Sequence, residues 1–168
     1  TNQRTDEYGG SVANRVRFVA ECLQAMAAAI GAGRVGLRFH VGNSYNDIKD
    51  ADTVATHAEL LRQVKDMGLA YAHVMRAEAP EIDAFALARD GFDGKLILND
   101  SFDGVSADAA IASGLGAAVS FARDFIGNPD LVRRLRDGLP LARFARKTLY
   151  TPGVEGYTDY PTAEGVSA

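Results

Sequence analysis

Val35-Gly36-Leu37-Arg38-Phe39 is a short apolar run interrupted by one charge near its end. Its length and its Val, Leu and Phe content mark it as a buried strand, with the arginine at the carboxyl end. Upstream, Val12, Val16, Val19, Leu23, Met26 and Ile30 recur at helical spacing. Ser11 stands at the N-cap position, and Gly31 and Gly33 stop the helix. Downstream, a polar loop over 43–50 leads into a second helix over 51–67, with Gly68 as its terminating residue.

The strand-then-helix unit then repeats. The spacing predicts strands at 71–75, 95–99 and 117–121, with helices over 80–89 and 106–113 between them. Ser106 is read as the cap of the latter helix and Gly114 as its stop. Asn128-Pro129 reads as a cap followed by proline at the first helical position, opening a helix that ends near Gly138. Residues 139–168 are rich in Gly, Pro and Tyr and show no periodicity. Four short apolar strands alternating with helices specify an α/β fold with a parallel sheet and right-handed crossovers. Two architectures satisfy that pattern: a small doubly wound sheet, or four βα units of a (β/α)8 barrel. Arg38, Asn99-Asp100 and Arg123 all fall at carboxyl ends of strands, where both architectures bind ligands.

Composition narrows the function. The 168 residues suffice for one domain with a sizeable core, and 47% apolar with 24% charged residues is ordinary for a globular protein. A net charge of −4 argues against nucleic acid as a partner. The Arg133, Arg134 and Arg136 group is read as one solvated helix face. The single cysteine, Cys22, excludes an intrachain disulfide, and a reduced cytoplasmic setting is the expectation. No apolar run approaches a membrane span, and residues 1–4 carry no signal-peptide pattern.

His40, His57 and His73 lack metal-ligand spacing, so no metal is expected. His57 is read as a residue of a helix surface, while His40 and His73, which follow or sit in strands, read either as lining a site or, more often, as structural. Gly-x-Gly-x-x-Gly, P-loop and Gly-x-Ser-x-Gly patterns are absent from the sequence, which weighs against dinucleotide-fold, NTPase and α/β-hydrolase chemistry. Arg38 reads either as a rim arginine reaching solvent or as a guanidinium pointing into a ligand site. Arg123, in Phe121-Ala122-Arg123-Asp124-Phe125, reads either as a loop arginine paired with Asp124 or Asp130 or as a phosphate grip.

Three blocks carry a resemblance. They are Asn2-Gln3-Arg4-Thr5-Asp6-Glu7-Tyr8-Gly9-Gly10-Ser11 with Asn14-Arg15; Val35-Gly36-Leu37-Arg38 with Ile126-Gly127-Asn128-Pro129-Asp130-Leu131; and Gly156-Tyr157-Thr158-Asp159-Tyr160-Pro161. In this order they resemble the C-terminal half of the Old Yellow Enzyme family of FMN-dependent ene-reductases, most nearly its N-ethylmaleimide reductase-like branch. The resemblance implies a TIM barrel that binds FMN at the carboxyl ends of its strands, takes reducing equivalents from NAD(P)H and reduces activated alkenes.

It further implies that Arg38 stands beside the flavin N1/O2 edge and that Arg123 grips the FMN phosphate. Ala122, Asp100 and Ser101 belong to the phosphate loops, Phe125 packs near the dimethylbenzene end, and Tyr150 stands at the substrate mouth. The C-terminal tail, 139–168, packs at that mouth. Asp100 departs from the family, whose phosphate loop is usually Gly/Ala-rich, and an ionised aspartate facing a phosphate repels it. Ala122 also stands where glycine is usual.

The family's substrate-binding His/Asn pair, its proton-donating tyrosine and its Thr and Gln flavin contacts lie in the barrel's first half. No catalytic residue is therefore expected in this chain. Four strands cannot close a barrel, so the expected partner is an N-terminal half-barrel or a second copy of the chain. The alternative function is a non-catalytic half-barrel or self-assembling module that keeps remnants of the flavin site.

Overall fold

The computed structural model describes residues 1–164. Its elements run α1 (Val12–Ile30), β1 (Gly36–His40), α2 (Thr53–Val64), β2 (Tyr71–Met75), α3 (Ala84–Gly91), β3 (Lys95–Asn99), α4 (Gly104–Ala112), β4 (Ala118–Ser120), α5 (Arg123–Gly127) and α6 (Leu131–Asp137). The four strands form one parallel sheet in the order β1-β2-β3-β4. Each strand pairs with its predecessor across a helix, as successive units of a barrel wall do. No helix among the described residues is long and apolar enough to cross a membrane.

Period-two alternation divides the sheet into two unlike faces. Leu37, Phe39, Ala72, Val74, Leu96 and Leu98 point one way and are buried in a single core with Leu60, Leu61 and Val64 of α2 and Phe85 and Ala88 of α3. The residues between them point the other way, and they are Arg38, Tyr71, His73, Met75, Lys95, Ile97, Asn99 and Ser120. Of these, Arg38, Tyr71 and Lys95 are exposed and the rest are half-buried. Parallel sheets are ordinarily covered on both faces. Here one face is a core and the other is open.

The sequence places the elements well and some of their ends less well. Ser11 caps α1 as read, its hydroxyl accepting from the Asn14 N–H at 3.2 Å. The cap of α4 is Asp103 rather than Ser106: Asp103 accepts from the Ser106 N–H at 2.8 Å, and the Ser106 hydroxyl answers the Asp103 N–H at 3.0 Å. Ser106 is thus the N3 member of a capping box, three residues inside the helix.

Asn128 does not open α6, whose N-cap is Asp130. Its side chain is fully buried and turned toward the tail instead. It donates to the carbonyls of Asp124 and Ala142 and accepts from the Ala142 N–H at 2.7 Å.

The arginine face on α6 is also corrected. Arg134 is only 5% exposed and pairs with Asp130 at 2.7 Å. It donates further to the carbonyls of Pro140 and Pro161, while the second Asp130 oxygen accepts from the Ala163 N–H at 2.8 Å. This ion pair is a post around which the tail folds back, and its remaining hydrogen-bonding capacity is spent on backbone, as a buried pair requires. Residues 165–168 of the expected tail lie outside the described residues.

Candidate functional site

At the carboxyl end of the sheet the open face leads into a cleft of about 1010 Å³. Arg38, Asn99, Asp100, Arg123, Arg143 and Tyr150 are among the residues lining it. Ser101 and Ala122 line it as well. The volume is that of a cofactor site rather than of a packing defect. The fold therefore gathers seven of the sequence-selected residues less one: Phe125 lies instead beside Tyr157 and Tyr160 at a separate cavity of about 280 Å³.

Arg38 owes its position to register. It is paired in the sheet with His73, and Asn99 is paired with Ser120. Its guanidinium lies 2.7 Å from Nε2 and 2.9 Å from Nδ1 of His73 and donates to Asn99 Oδ1 at 2.9 Å. Asn99 in turn donates to the Ser120 carbonyl at 3.0 Å, and the Ser120 hydroxyl stands 2.7 Å from His73 Nε2. An arginine can only donate, so this contact requires an unprotonated imidazole nitrogen. Burial, and after it the neighbouring Arg38 charge, push the His73 pKa below its ordinary 6.5, in keeping with a neutral ring.

The structure settles the orientation of Asp100. It faces the cleft and forms an ion pair with Arg123. Asp100 and Ser101 take φ values of 78° and 58°, the left-handed region that side chains other than Asn and Asp seldom enter. Arg76, at the end of β2, holds this turn: its N–H donates to the Asn99 carbonyl at 3.0 Å, and its side chain to the Asp100 carbonyl at 3.4 Å. The Arg76 guanidinium lies 4.9 Å from the ring centres of both Phe85 and Phe102, which pack against each other at 5.7 Å.

Arg123 is not a free loop residue, since it begins α5, a five-residue helix that the sequence reading passes over. Tyr150 is 97% exposed at the rim. Leu141, Arg143, Phe144 and Arg146 reach the same cleft from the tail. Gly127 permits that approach, because a Cβ there would lie 2.9 Å from the Ala142 carbonyl oxygen and 3.1 Å from the Phe144 nitrogen.

Ser120 and Arg76 are the residues that the sequence reading leaves unassigned, and His73 is one for which it names no partner. The signal for His73 and Ser120 is their period-two position on the Arg38 side of their strands. His57 is not a surface residue: it stacks on Phe39 at 5.6 Å, its Nδ1 bonds the Thr53 carbonyl at 2.7 Å, and burial lowers its pKa.

A parallel βα wall with a cleft at its carboxyl end, lined by two arginines, is the architecture of a TIM-barrel-class protein. The model of the NADH:flavin oxidoreductase / NADH oxidase family matches residues 1–142, and the chain belongs to that family. It is 43% identical over 163 residues to a probable flavin mononucleotide-dependent alkene reductase of Leishmania infantum, covering 96% of this chain and 45% of that protein. Its fold superposes on the old yellow enzyme of Trypanosoma cruzi with a TM-score of 0.91 and 32% identity, covering 96% of this chain and 44% of the other. It superposes on morphinone reductase in complex with tetrahydroNAD with a TM-score of 0.88 and 37% identity, covering 96% and 45%. The chain thus spans about half the length of the relatives it matches, which are Old Yellow Enzyme-type barrels, and FMN is the cofactor of the family.

Proposed function

We propose that this chain is the flavin-holding half of an FMN-dependent NAD(P)H oxidoreductase that reduces activated alkenes. The observation that carries the reading is the placing of Arg38 and Arg123 in one cleft at the carboxyl end of a sheet whose adjoining face is open. The residues fit FMN in charge and in room: one cation for a phosphate, a second for the electron-rich edge of a flavin, and a cleft of sufficient volume.

FMN, when bound, supplies the two-electron redox chemistry that the side chains cannot. This chain's part is to bind and orient. Arg123 holds the phosphate, with the turn at Asp100 and Ser101 and the backbone at Ala122 beside it. Arg38 would face the N1/O2 edge and stabilise negative charge there, which a cation already aimed by its neighbours does at little reorganisation cost. Neutral His73, backed by Ser120, and the Asn99 side chain keep the Arg38 guanidinium aimed. Tyr150 and the tail form the mouth toward the alkene. Phe125 stands with Tyr157 and Tyr160 of the tail at the neighbouring cavity. The open face and the outer edges of β1 and β4 are completed by an N-terminal half-barrel, which brings the proton donor and the substrate-polarising groups.

The test is retention of flavin. The protein is mixed with FMN, free ligand is removed, and absorbance near ~450 nm, a generic flavin band, is read with and without the complementary half. Retention with that half, together with NAD(P)H-dependent alkene reduction, is the expected result. Flavin bound in both samples without any reduction points to the non-catalytic module. Flavin retained in neither sinks the proposal.

A further inference from the structure

We propose that Asp100 is a built-in counter-ion for Arg123 that sets the site's discrimination between phosphorylated and unphosphorylated flavin. The inference rests on the flavin reading above and adds to it a residue that decides which flavin is preferred.

The geometry carries it. Asp100 and Arg123 both line the cleft and are ion-paired with each other. The Asp100 side chain is the more enclosed of the two, 25% exposed against 58% for Arg123. Its backbone is tied to the end of β2. Arg76, whose guanidinium rests beside the packed Phe85 and Phe102 rings, donates from its N–H to the Asn99 carbonyl and from its side chain to the Asp100 carbonyl, next to the left-handed turn at Asp100 and Ser101. An aspartate kept in that conformation by its neighbours, with its carboxylate on the anion-binding cation, is a resident anion.

A phosphate arriving at Arg123 must displace this carboxylate or share the guanidinium with it. In the first case one charge-assisted pair is exchanged for another and the net gain shrinks. In the second, two like-charged groups stand a few ångströms apart. Riboflavin carries the same ring system without the phosphate and feels neither effect. The phosphate therefore adds less affinity here than a lone arginine would give it.

Asp100→Asn is the discriminating variant, because asparagine tolerates the left-handed region and removes only the charge. Dissociation constants for FMN and riboflavin are measured by flavin fluorescence in the full protein and in D100N. The expected result is FMN binding tightened about tenfold or more, as removal of one close like charge implies, with riboflavin changed less than about twofold. Unchanged or weaker FMN binding, or an equal shift for both flavins, overturns the proposal.

A second measurement uses inorganic phosphate alone, followed through the Arg123 side-chain NMR resonance. D100N is expected to respond at concentrations where the parent protein does not. Equal response, or none in either, overturns the proposal. If no form of the protein holds any flavin, the reading of the site as a flavin site fails, and the phosphate titration still decides the role of Asp100.

Discussion

Arg123 and Tyr150 share a cleft but differ in what their loss removes. Arg123→Ala takes away the cation and leaves the Asp100 carboxylate unpaired beside the phosphate. FMN affinity should fall at least about tenfold, the scale of a lost charge-assisted contact. Tyr150→Phe removes a hydroxyl that is already in water, so FMN affinity should stay within about twofold. Equilibrium titration with FMN measures both, and equal or reversed effects would count against the phosphate role of Arg123.

His73 gives a pH prediction with a definite sign. Its folded pKa is lowered from 6.5, so below that value the unfolded chain binds a proton that the folded chain resists. Stability is therefore complete above about pH 6.5 and declines as pH falls through the window between that value and the folded pKa. His57, lowered by burial, acts in the same direction. His73→Gln keeps an acceptor for Arg38 and a donor for Ser120 without titrating. Denaturation midpoints followed from about pH 7 to 5 should fall less steeply in H73Q than in the parent, with the His57 share remaining. Parallel profiles would show that the His73 pKa is the same in the folded and the unfolded chain.

At the scale of elements, the motifs of the resemblance acquire physical roles. Asn128 and Asp130 of the Asn-Pro-Asp-Leu block, and Tyr160 and Pro161 of the terminal block, lie along one docking surface between α5, α6 and the tail. Asn128→Ala empties a fully buried side-chain position and leaves the Ala142 N–H without its acceptor. A loss of about 2 kcal/mol is expected from the unsatisfied group and the two lost donated bonds. Chemical denaturation gives the magnitude, and faster proteolytic cleavage within 139–150 should accompany it. Gly127→Ala should loosen the same junction, since its Cβ would press on the backbone of Ala142 and Phe144 rather than on a side chain that can turn aside.

These elements also show where sequence reading reaches and where it stops. Strands β1 to β4 were legible because each is a short apolar run bounded by a turn, and Arg38 stood out as the charge inside one. The cap of α4 was equally available, since Asp103 and Ser106 have capping-box spacing. The role of Asn128 was not, because its partner Ala142 is fourteen residues away and the tail has no periodicity to place it. Arg134 was misread for the same reason, as its acceptors at Pro140 and Pro161 lie beyond the helix that carries it. The Arg38–His73–Ser120 set depends on sheet register, which only the assembled strands define.

For the whole molecule the decisive fact is the asymmetry of the sheet. A parallel sheet with a core on one face should not leave Tyr71 exposed and Ile97 and Met75 only half-buried on the other. Along β1 the same incompleteness shows as a groove of about 740 Å³ bounded by Leu37, Phe39, Val19 of α1 and Leu60 of α2. The 168 residues taken alone should therefore bind a hydrophobic dye such as ANS and self-associate, because exposed edges and apolar surface invite pairing. Addition of the complementary half-barrel should abolish dye binding and raise the melting temperature together with flavin uptake. Light scattering, ANS fluorescence and thermal melts on the same samples follow the three effects. A lone chain that is monomeric, dark to ANS and unchanged by that half would mean the open face is a finished surface, and the barrel-completing role proposed for a partner would fall with it.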